Sequence, residues 1–198
     1  MHSFSKTYDR LKSLLDGLGI YRKHCINSSR YAKRLAERLG VSKEETHVIS
    51  LAALFHDIGK AERIGKKTIL QIVAAPRRLN PDEFAVMETH PLIGAKLVLA
   101  AFNKSPWDQV AHFILLHHER IDGKGYPFGL KGGSIPLGSK IIAVVESFDA
   151  FISERPYRHA MTRKEAIEKL KKGAWTRFDP IVVKEFVSLL EEENEKRR

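Results

Sequence analysis

The sequence predicts an all-α fold, a single compact bundle of roughly seven to nine helices. Apolar residues recur at helical spacing through most of the 198 residues, and many of these runs begin at capping residues. No stretch alternates apolar and polar residues as a strand does, and no internal repeat is visible. We expect one domain over residues 1–198, with an N-terminal helix over 1–19 and a charged tail over 191–198.

The helix ends are marked by residues with known end preferences. Glycine after an apolar run ends a helix, and Ser, Thr or Asn followed three residues later by an acid begins one. In chain order, the predicted helices run over 4–18 (ended by Gly17 and Gly19), 21–39 (closed by Gly40), 42–60 (capping box at Ser42), from Asn80-Pro81, from His90-Pro91 to Leu99, from Ser105-Pro106 to His118, over 137–152, from the capping box at Thr162, and from Asp179-Pro180. The segment 61–78 permits either a helix or a loop, and 122–133 is a glycine-rich loop.

The composition of the chain limits the classes of protein to which it can belong. An apolar content of 43% suits one domain with a buried core. The single cysteine, Cys25, excludes an intrachain disulfide, so a cytoplasmic location is expected. No apolar run approaches the ~20 residues of a membrane-spanning helix, so no membrane association is expected. The formal charge of +10 favours anionic partners such as nucleotides. DNA is not expected, because the basic residues form no recognition-helix pattern.

The stretch Leu54–Lys60 concentrates ionisable chemistry at one helix end. His56 and Asp57 follow an apolar run, and Lys60 comes one turn later. Neighbouring side chains on a helix diverge by about 100°, so this pair reaches a metal site from two directions, and a carboxylate bridges two cations with its two oxygens. Taken alone, the pair is equally compatible with a local cap of the helix.

The histidines indicate a metal site only when several of them are considered together. The chain has nine, and any single one is more commonly a surface or packing residue. Five of them, together with two acids, recur on or at the ends of predicted helices: His24, His56, His90, His117, His118, Asp57 and Glu146. Imidazole and carboxylate are the preferred ligands of Mn, Fe, Zn and Ni, and helix bundles build such sites from facing helices. Seven ligands exceed the needs of one tetrahedral ion and suit two ions that share a carboxylate.

Two motifs resemble those of a known enzyme family. His56-Asp57 with Gly59-Lys60 is similar to the signature of the HD-domain metal-dependent phosphohydrolases, and the run His117–Pro127 is similar to the second signature of their HD-GYP subfamily. Further matching runs are Thr89-His90-Pro91, Ser147-Phe148-Asp149-Ala150, Arg155-Pro156-Tyr157-Arg158 and Phe178-Asp179-Pro180. The resemblance covers roughly residues 21–187 and implies a single HD-GYP-like phosphohydrolase domain that hydrolyses cyclic di-GMP.

The resemblance also implies a ligand set for two divalent ions, most commonly Fe or Mn, with Ni and Zn as alternatives. The matching positions are His24, His56, Asp57 and Glu146 for one ion, and the bridging Asp57 with His90, His117 and His118 for the other. A hydroxide bridging two such ions attacks phosphorus, so Asp57 is the expected catalytic carboxylate. Lys60 matches a phosphate-facing lysine that acts in both catalysis and substrate binding.

Three further residues match substrate-contacting positions. Arg155 and Arg158 match a basic pair that binds phosphate or guanine, for which the planar guanidinium is suited, although a surface charge pair is an alternative for Arg158. Tyr126, in the loop 122–133 that we call the GYP loop, is expected either to contact substrate or to brace the pocket. The resemblance also implies that the GYP loop offers a surface to a protein partner.

The sequence departs from the subfamily pattern at three places. Glu146 stands where aspartate is usual, and Asp149, one turn later on nearly the same face, is a rival ligand that the resemblance makes structural. Ile20 stands where some members hold a third metal with glutamate, so two metals are expected. The segment 61–79 is longer and more basic than usual, which suggests a lid or an altered substrate choice.

Alternative functions therefore remain beside the leading hypothesis of cyclic di-GMP hydrolysis to pGpG and on to GMP. One is an HD phosphohydrolase that acts on another nucleotide, for which the segment 61–79 is the motive. The other is a catalytically weak module that binds a cyclic dinucleotide for signalling, for which Glu146 is the only support. The sequence leaves the oligomeric state open.

Overall fold

The computed structural model describes residues 2–102, 104–154 and 159–195. It confirms the all-α prediction, and the strands present in this part of the chain are a two-residue pair. The elements, in chain order, are α1 (His2–Gly17), α2 (Ile20–Arg38), α3 (Lys43–Phe55), β1 (Arg63–Ile64), β2 (Lys67–Thr68), α4 (Ile69–Val73), α5 (Pro81–Met87), α6 (His90–Ala101), α7 (Trp107–Leu115), α8 (Leu137–Ile152), α9 (Arg163–Gly173) and α10 (Pro180–Glu195).

The core forms around α8, which is buried along most of its length. Its Phe148 meets Tyr31 of α2 and Phe186 of α10 edge to face, with ring centroids 5.7 and 5.3 Å apart. Such edge-to-face pairs add to the stabilisation from buried apolar area. Helices α3, α7 and α9 pack the same cluster from other sides, so α8 is held rigidly and carries Glu146 and Asp149 at fixed positions.

Local capping residues begin the helices where the sequence predicts. The Ser42 hydroxyl accepts from Glu45 N, and full capping boxes form at Asn80 and Thr162. The predicted extension of the third helix to Lys60 is wrong. Helix α3 ends at Phe55, and a separate 3-10 turn covers Ile58–Ala61.

The physical reason for that break is close packing between the 3-10 turn and α6. A Cβ on Gly59 would overlap His90 O and lie 2.8 Å from Gly94 N, so the turn reaches α6 only because residue 59 has no side chain. A continued α-helix would carry residues 58–61 along the α3 axis and lose this contact. The turn therefore brings the His56-Asp57 pair to the start of α6.

The segment 61–79 is neither a single helix nor a plain loop. Strands β1 and β2 form an antiparallel pair, with Arg63 opposite Thr68 and Ile64 opposite Lys67. Thr68 then caps the short helix α4 through a capping box with Gln71. Ile69 is fully buried against the rest of the chain, so this segment packs onto the bundle beside the 3-10 turn.

The stretch Pro81–Ala101 is long and apolar enough to cross a membrane by length and composition, with a mean hydropathy of 1.3, which by itself is weak evidence. This differs from the expectation that no run approaches that length. In the structure the stretch forms two helices, α5 and α6, joined through Glu88 and Thr89. Helix α6 buries His90 and Gly94 against the bundle, so we assign it to the helical core.

Candidate metal centre

Three helix ends and the second turn of α2 converge on one buried site. His24 comes from α2, and His56 and Asp57 directly follow α3. The other three histidines are His90, which opens α6, and His117 and His118, which follow α7. His24, His56, Asp57, His90 and His117 are all buried. The structure thus brings together six of the seven predicted ligands from residues up to 94 positions apart in the chain (118 − 24).

Three of these histidines are held by the same local device. The Nδ1 atoms of His56, His90 and His117 each donate to the carbonyl oxygen three residues earlier, at 2.8, 2.6 and 2.6 Å. Those carbonyls, of Ala53, Met87 and Ile114, lie in the last turn of α3, α5 and α7, where helix carbonyls lack intrahelical partners. Each bond places the proton on Nδ1 and leaves the Nε2 lone pair free for a metal.

The ligand atoms form two clusters that meet at Asp57. His24, His56 and Asp57 offer atoms that all lie within 4.8 Å of one another, and His90, His117 and His118 do the same. Asp57 Oδ1 is 3.5 Å from His56 Nε2 in the first cluster and 3.5 Å from His90 Nε2 in the second. One carboxylate oxygen therefore stands between both groups, as a bridging ligand must.

Burial sets the protonation of the site. It lowers the pKa values of His56 and His117 to about 4 and those of His90 and His118 well below the usual range. For Asp57, burial alone would raise the pKa, but the charges of His56, Lys60 and His90 together hold it well below its usual range. At neutral pH the site therefore presents neutral imidazoles and an ionised carboxylate, which are the metal-binding forms.

The donor set fits divalent metal ions. Seven buried side-chain atoms of the described residues have no hydrogen-bond partner, and five of them lie at this site: His56 Nε2, Asp57 Oδ1, His90 Nε2, His117 Nε2 and His118 Nε2. An unpaired buried polar atom costs about 1–3 kcal/mol, and the four imidazole nitrogens among them, all in one place, indicate a function that outweighs that cost. All five belong to the two clusters, and nitrogen and oxygen donors of this kind suit Mn, Fe, Zn or Ni.

Lys60 lies between the two histidine clusters and the neighbouring cavity, so its charge acts on both. Its Nζ donates to Asp57 Oδ2 at 2.8 Å and lies 2.7 Å from Oδ1, to which the geometry forms no hydrogen bond. The side chain is 15% exposed. Lys60 thus neutralises part of the carboxylate charge and extends to the wall of the cavity.

Glu146 and Asp149 occupy different surroundings on α8. His24 Nδ1 donates to Asp149 Oδ2 at 2.7 Å, and Asn27 Nδ2 donates to Asp149 Oδ1 at 2.9 Å. Both Asp149 oxygens are therefore engaged on the outer side of His24. Glu146 accepts from Ser147 Oγ at 3.1 Å and lines a cavity with His117 and His118. Neither cluster includes Glu146 among the described residues, and its role as a ligand stays a prediction.

A cavity of about 420 Å³ opens beside the second cluster. Its wall contains Lys60, His117, His118, Tyr126 and Arg177, among others. Tyr126 packs its ring 4.8 Å from His118 and donates from its hydroxyl to Met87 Sδ at 3.6 Å. Tyr126 thus braces the wall that it also lines, and its contact with substrate stays a prediction. The predicted residues Arg155 and Arg158 lie outside the described residues.

The GYP loop is fixed to the site by Glu119, which is buried directly after the histidine pair. Its Oε1 accepts from Phe128 N at 2.7 Å and its Oε2 from Leu130 N at 2.9 Å. Gly125 makes a close approach, because a Cβ there would lie 2.5 Å from His118 O. The loop therefore turns back over His118 and forms one side of the cavity.

Comparison with known proteins decides the family. A family model described as "HD domain" matches residues 9–182, which is most of the chain. The chain belongs to the HD-domain family. This confirms the resemblance inferred from the two motifs.

Among the relatives of this HD domain is the "Cyclic di-GMP phosphodiesterase response regulator RpfG" of Xanthomonas campestris, 43% identical over 77% of the chain. Another is the "3'3'-cGAMP-specific phosphodiesterase 3" of Vibrio cholerae, 32% identical over 82%. The chain spans only 39% and 34% of the length of these two proteins. A solved cyclic GMP-AMP phosphodiesterase of V. cholerae, V-cGAP3, shares the fold, with a TM-score of 0.70, 22% identity and coverage of 91% of this chain and 48% of its own.

Several residues that shape the site were not predicted from the sequence. Asn27 carries no motif beyond its position three residues after His24, and Glu119 lies within the second signature, His117–Pro127, but was given no role. Arg177 enters the cavity wall because the turn 173–178 is tied to the GYP loop, where Asp122 N donates to Thr176 O at 3.0 Å. Phe84 and Glu88 of the α5 segment also line the cavity, and only an i, i+4 spacing before His90 signals them.

Proposed function

We propose that this HD domain is a two-metal phosphodiesterase that hydrolyses cyclic di-GMP to linear pGpG and on to GMP. The observation that carries the proposal is Asp57 Oδ1, placed 3.5 Å from a histidine of each cluster and beside a cavity that Lys60 lines. The relative named as a cyclic di-GMP phosphodiesterase, at 43% identity, supports the choice of substrate.

The residues of the chain have separable tasks in this proposal. His24, His56, Asp57, His90, His117 and His118, with Glu146 as a further predicted ligand, would hold the two ions. Two ions in such a site supply a nucleophile at neutral pH and neutralise charge that develops on phosphorus. Lys60 places an ammonium at the cavity wall, where it stabilises a phosphate oxygen. The GYP loop closes one side and keeps the substrate oriented.

The experiment measures bound metal and substrate conversion together. Protein purified without chelator is analysed for metal, then incubated with cyclic di-GMP and added Mn²⁺ or Fe²⁺, and the products are separated by chromatography. We expect about two metals per chain and conversion to pGpG. Asp57→Ala should abolish conversion and lower the metal content, because it removes the shared carboxylate.

Asp108→Ala is the matched control, since Asp108 is an exposed acid in the first turn of α7. It should retain both metals and activity. Intact cyclic di-GMP in the presence of two bound metals per chain would overturn the proposed substrate. Full activity in Asp57→Ala would overturn the proposed centre.

A second candidate substrate is another cyclic dinucleotide. The 32% identical relative named as specific for 3'3'-cGAMP motivates it, so 3'3'-cGAMP and cyclic di-AMP belong in the same assay. A binding module without turnover is the remaining alternative. It predicts saturable cyclic di-GMP binding with no product at any metal loading. The protein partner expected at the GYP loop stays a prediction.

A further inference from the structure

Helix α5 presents an unusual face to the cavity. Phe84, Met87 and Glu88 all line it, and their i, i+3 and i+4 spacing places them on one side of the helix. The helical hydrogen bond from Glu88 N to Phe84 O, at 2.9 Å, keeps this register through Glu88. Phe84 is 46% exposed, and α5 has no buried residue. An exposed aromatic ring beside a carboxylate is thus open to the cavity.

The position of α5 is fixed relative to the histidine clusters. Met87 O accepts from His90 Nδ1 at 2.6 Å, and Met87 Sδ accepts from the Tyr126 hydroxyl. At the other end, the Asn80 capping box is reinforced by Arg77, whose guanidinium donates to both oxygens of Glu83 at 2.7 and 2.8 Å. Any group bound on the α5 face is therefore held at a set distance from the second cluster.

Glu88 differs from the other acids in the cavity wall. Both oxygens of Glu119 accept backbone N–H groups of the GYP loop, and Glu146 accepts the Ser147 hydroxyl. The Glu88 carboxylate is half-buried and makes no hydrogen bond or ion pair with any residue that the structure describes. A carboxylate offers acceptors only, so its partner in the cavity must be a donor.

We propose that Phe84 and Glu88 form a nucleobase subsite that selects guanine over adenine. This deepens the proposed function and rests on it. Guanine presents two adjacent donors, N1–H and the N2 amino group, which match the two oxygens of a carboxylate. Adenine presents the N1 lone pair next to the N6 amino group, so one carboxylate oxygen faces a lone pair. Phe84 supplies the surface on which the base stacks.

The test measures equilibrium binding of mononucleotides, because binding does not require turnover. Calorimetry with Mn²⁺-loaded protein compares GMP, IMP and AMP. IMP keeps N1–H but lacks the N2 amino group. We expect GMP to bind on the order of ten-fold more tightly than AMP, with IMP between them, because each lost donor leaves one acceptor unpaired.

The variant Glu88→Gln distinguishes a loss of guanine selectivity from a general loss of nucleotide binding. A glutamine side chain has one acceptor and one donor, so it pairs well with adenine. We expect GMP binding to weaken on the order of ten-fold and AMP binding to stay or strengthen. Phe84→Leu should weaken both nucleotides alike, on the order of ten-fold. Asp82→Asn, at an exposed acid in the first turn of the same helix, is the control and should change neither.

Two results would overturn the subsite. One is an unmodified protein that binds GMP and AMP equally. The other is Glu88→Gln protein in which both affinities fall by the same factor. Failure of the proposed function has a different signature, since cyclic di-GMP would then stay intact while the GMP preference, and its reversal by Glu88→Gln, persist.

Discussion

Four of the five histidines of the metal centre, His24, His56, His90 and His117, donate from Nδ1 to an acceptor of the chain and so offer Nε2 to a metal. For His24 that acceptor is the carboxylate of Asp149, at 2.7 Å, rather than a helix carbonyl. Both side chains are almost fully buried, so the bond is shielded from water and salt. Asn27 holds the other oxygen of Asp149. Asp149 is therefore a positioning residue for His24, and the rivalry with Glu146 has a physical test.

We predict that Asp149→Asn weakens metal binding without removing an ion. The amide is a weaker acceptor for His24 Nδ1, and loss of such an outer carboxylate costs on the order of 10–100-fold in metal affinity. Competition with a chromogenic chelator measures the affinity, and elemental analysis at saturating metal gives the number of ions. Glu146→Gln, at a predicted ligand, should instead lower the number bound. An affinity unchanged by Asp149→Asn would refute the positioning role.

At the scale of elements, the junction between the 3-10 turn and α6 decides where the His56-Asp57 pair lies. We predict that Gly59→Ala lowers the free energy of unfolding by about 1–3 kcal/mol, because the added methyl group must displace α6 backbone. Urea unfolding measures this loss. Gly133→Ala is the control, since nothing lies within 4 Å of a Cβ there. Equal stabilities of the two variants would mean that the junction yields easily.

The same junction shows what the sequence reveals about elements. Helix starts such as Ser42 and Asn80 are predictable because their caps lie within four residues. The end of α3 is not, since it depends on contact of Gly59 with α6, more than thirty residues later in the chain (94 − 59 = 35). The secondary structure of the segment 61–79 could not be predicted for a related reason. Its strands have two residues each, which is too short to show the alternation of apolar and polar residues that identifies a strand.

At the scale of the whole molecule, two motifs contain four of the seven predicted ligands, while the hydrogen bonds that hold the ligands in place could not be predicted from the sequence. His56, Asp57, His117 and His118 stand in contiguous signatures. The bond between His24 and Asp149 joins residues 125 positions apart, and only the packing of α2 on α8 creates it. Glu88 and Arg177 likewise share a cavity wall through tertiary packing. The motifs therefore point to predicted ligands, whereas the contacts between helices become visible only in the folded structure.

The buried histidines also give the whole fold a pH dependence, and this is our last prediction. The pKa values of His56 and His117 fall from an ordinary 6.5 to about 4 on folding. Between these values the unfolded chain binds protons that the folded chain does not, so stability is complete above pH 6.5 and is lost as pH falls toward 4. The lowered pKa of Asp57 has no opposing effect here, since its own contribution is lost only below 3.8.

Urea unfolding of chelator-treated protein at pH 7.5, 6 and 5 measures this loss. His117→Asn should flatten the slope between pH 6.5 and 5, because it removes one buried imidazole while the asparagine Nδ2, which takes the place of imidazole Nδ1, still donates to Ile114 O. His112→Asn, on the exposed face of α7, should keep the full slope. Saturating Mn²⁺ should raise stability by mass action at pH 7.5 and still at pH 5, because the Nε2 lone pairs of the folded protein stay unprotonated until the pH approaches 4. A midpoint that rises on acidification would contradict the assignment of neutral, inward-facing histidines.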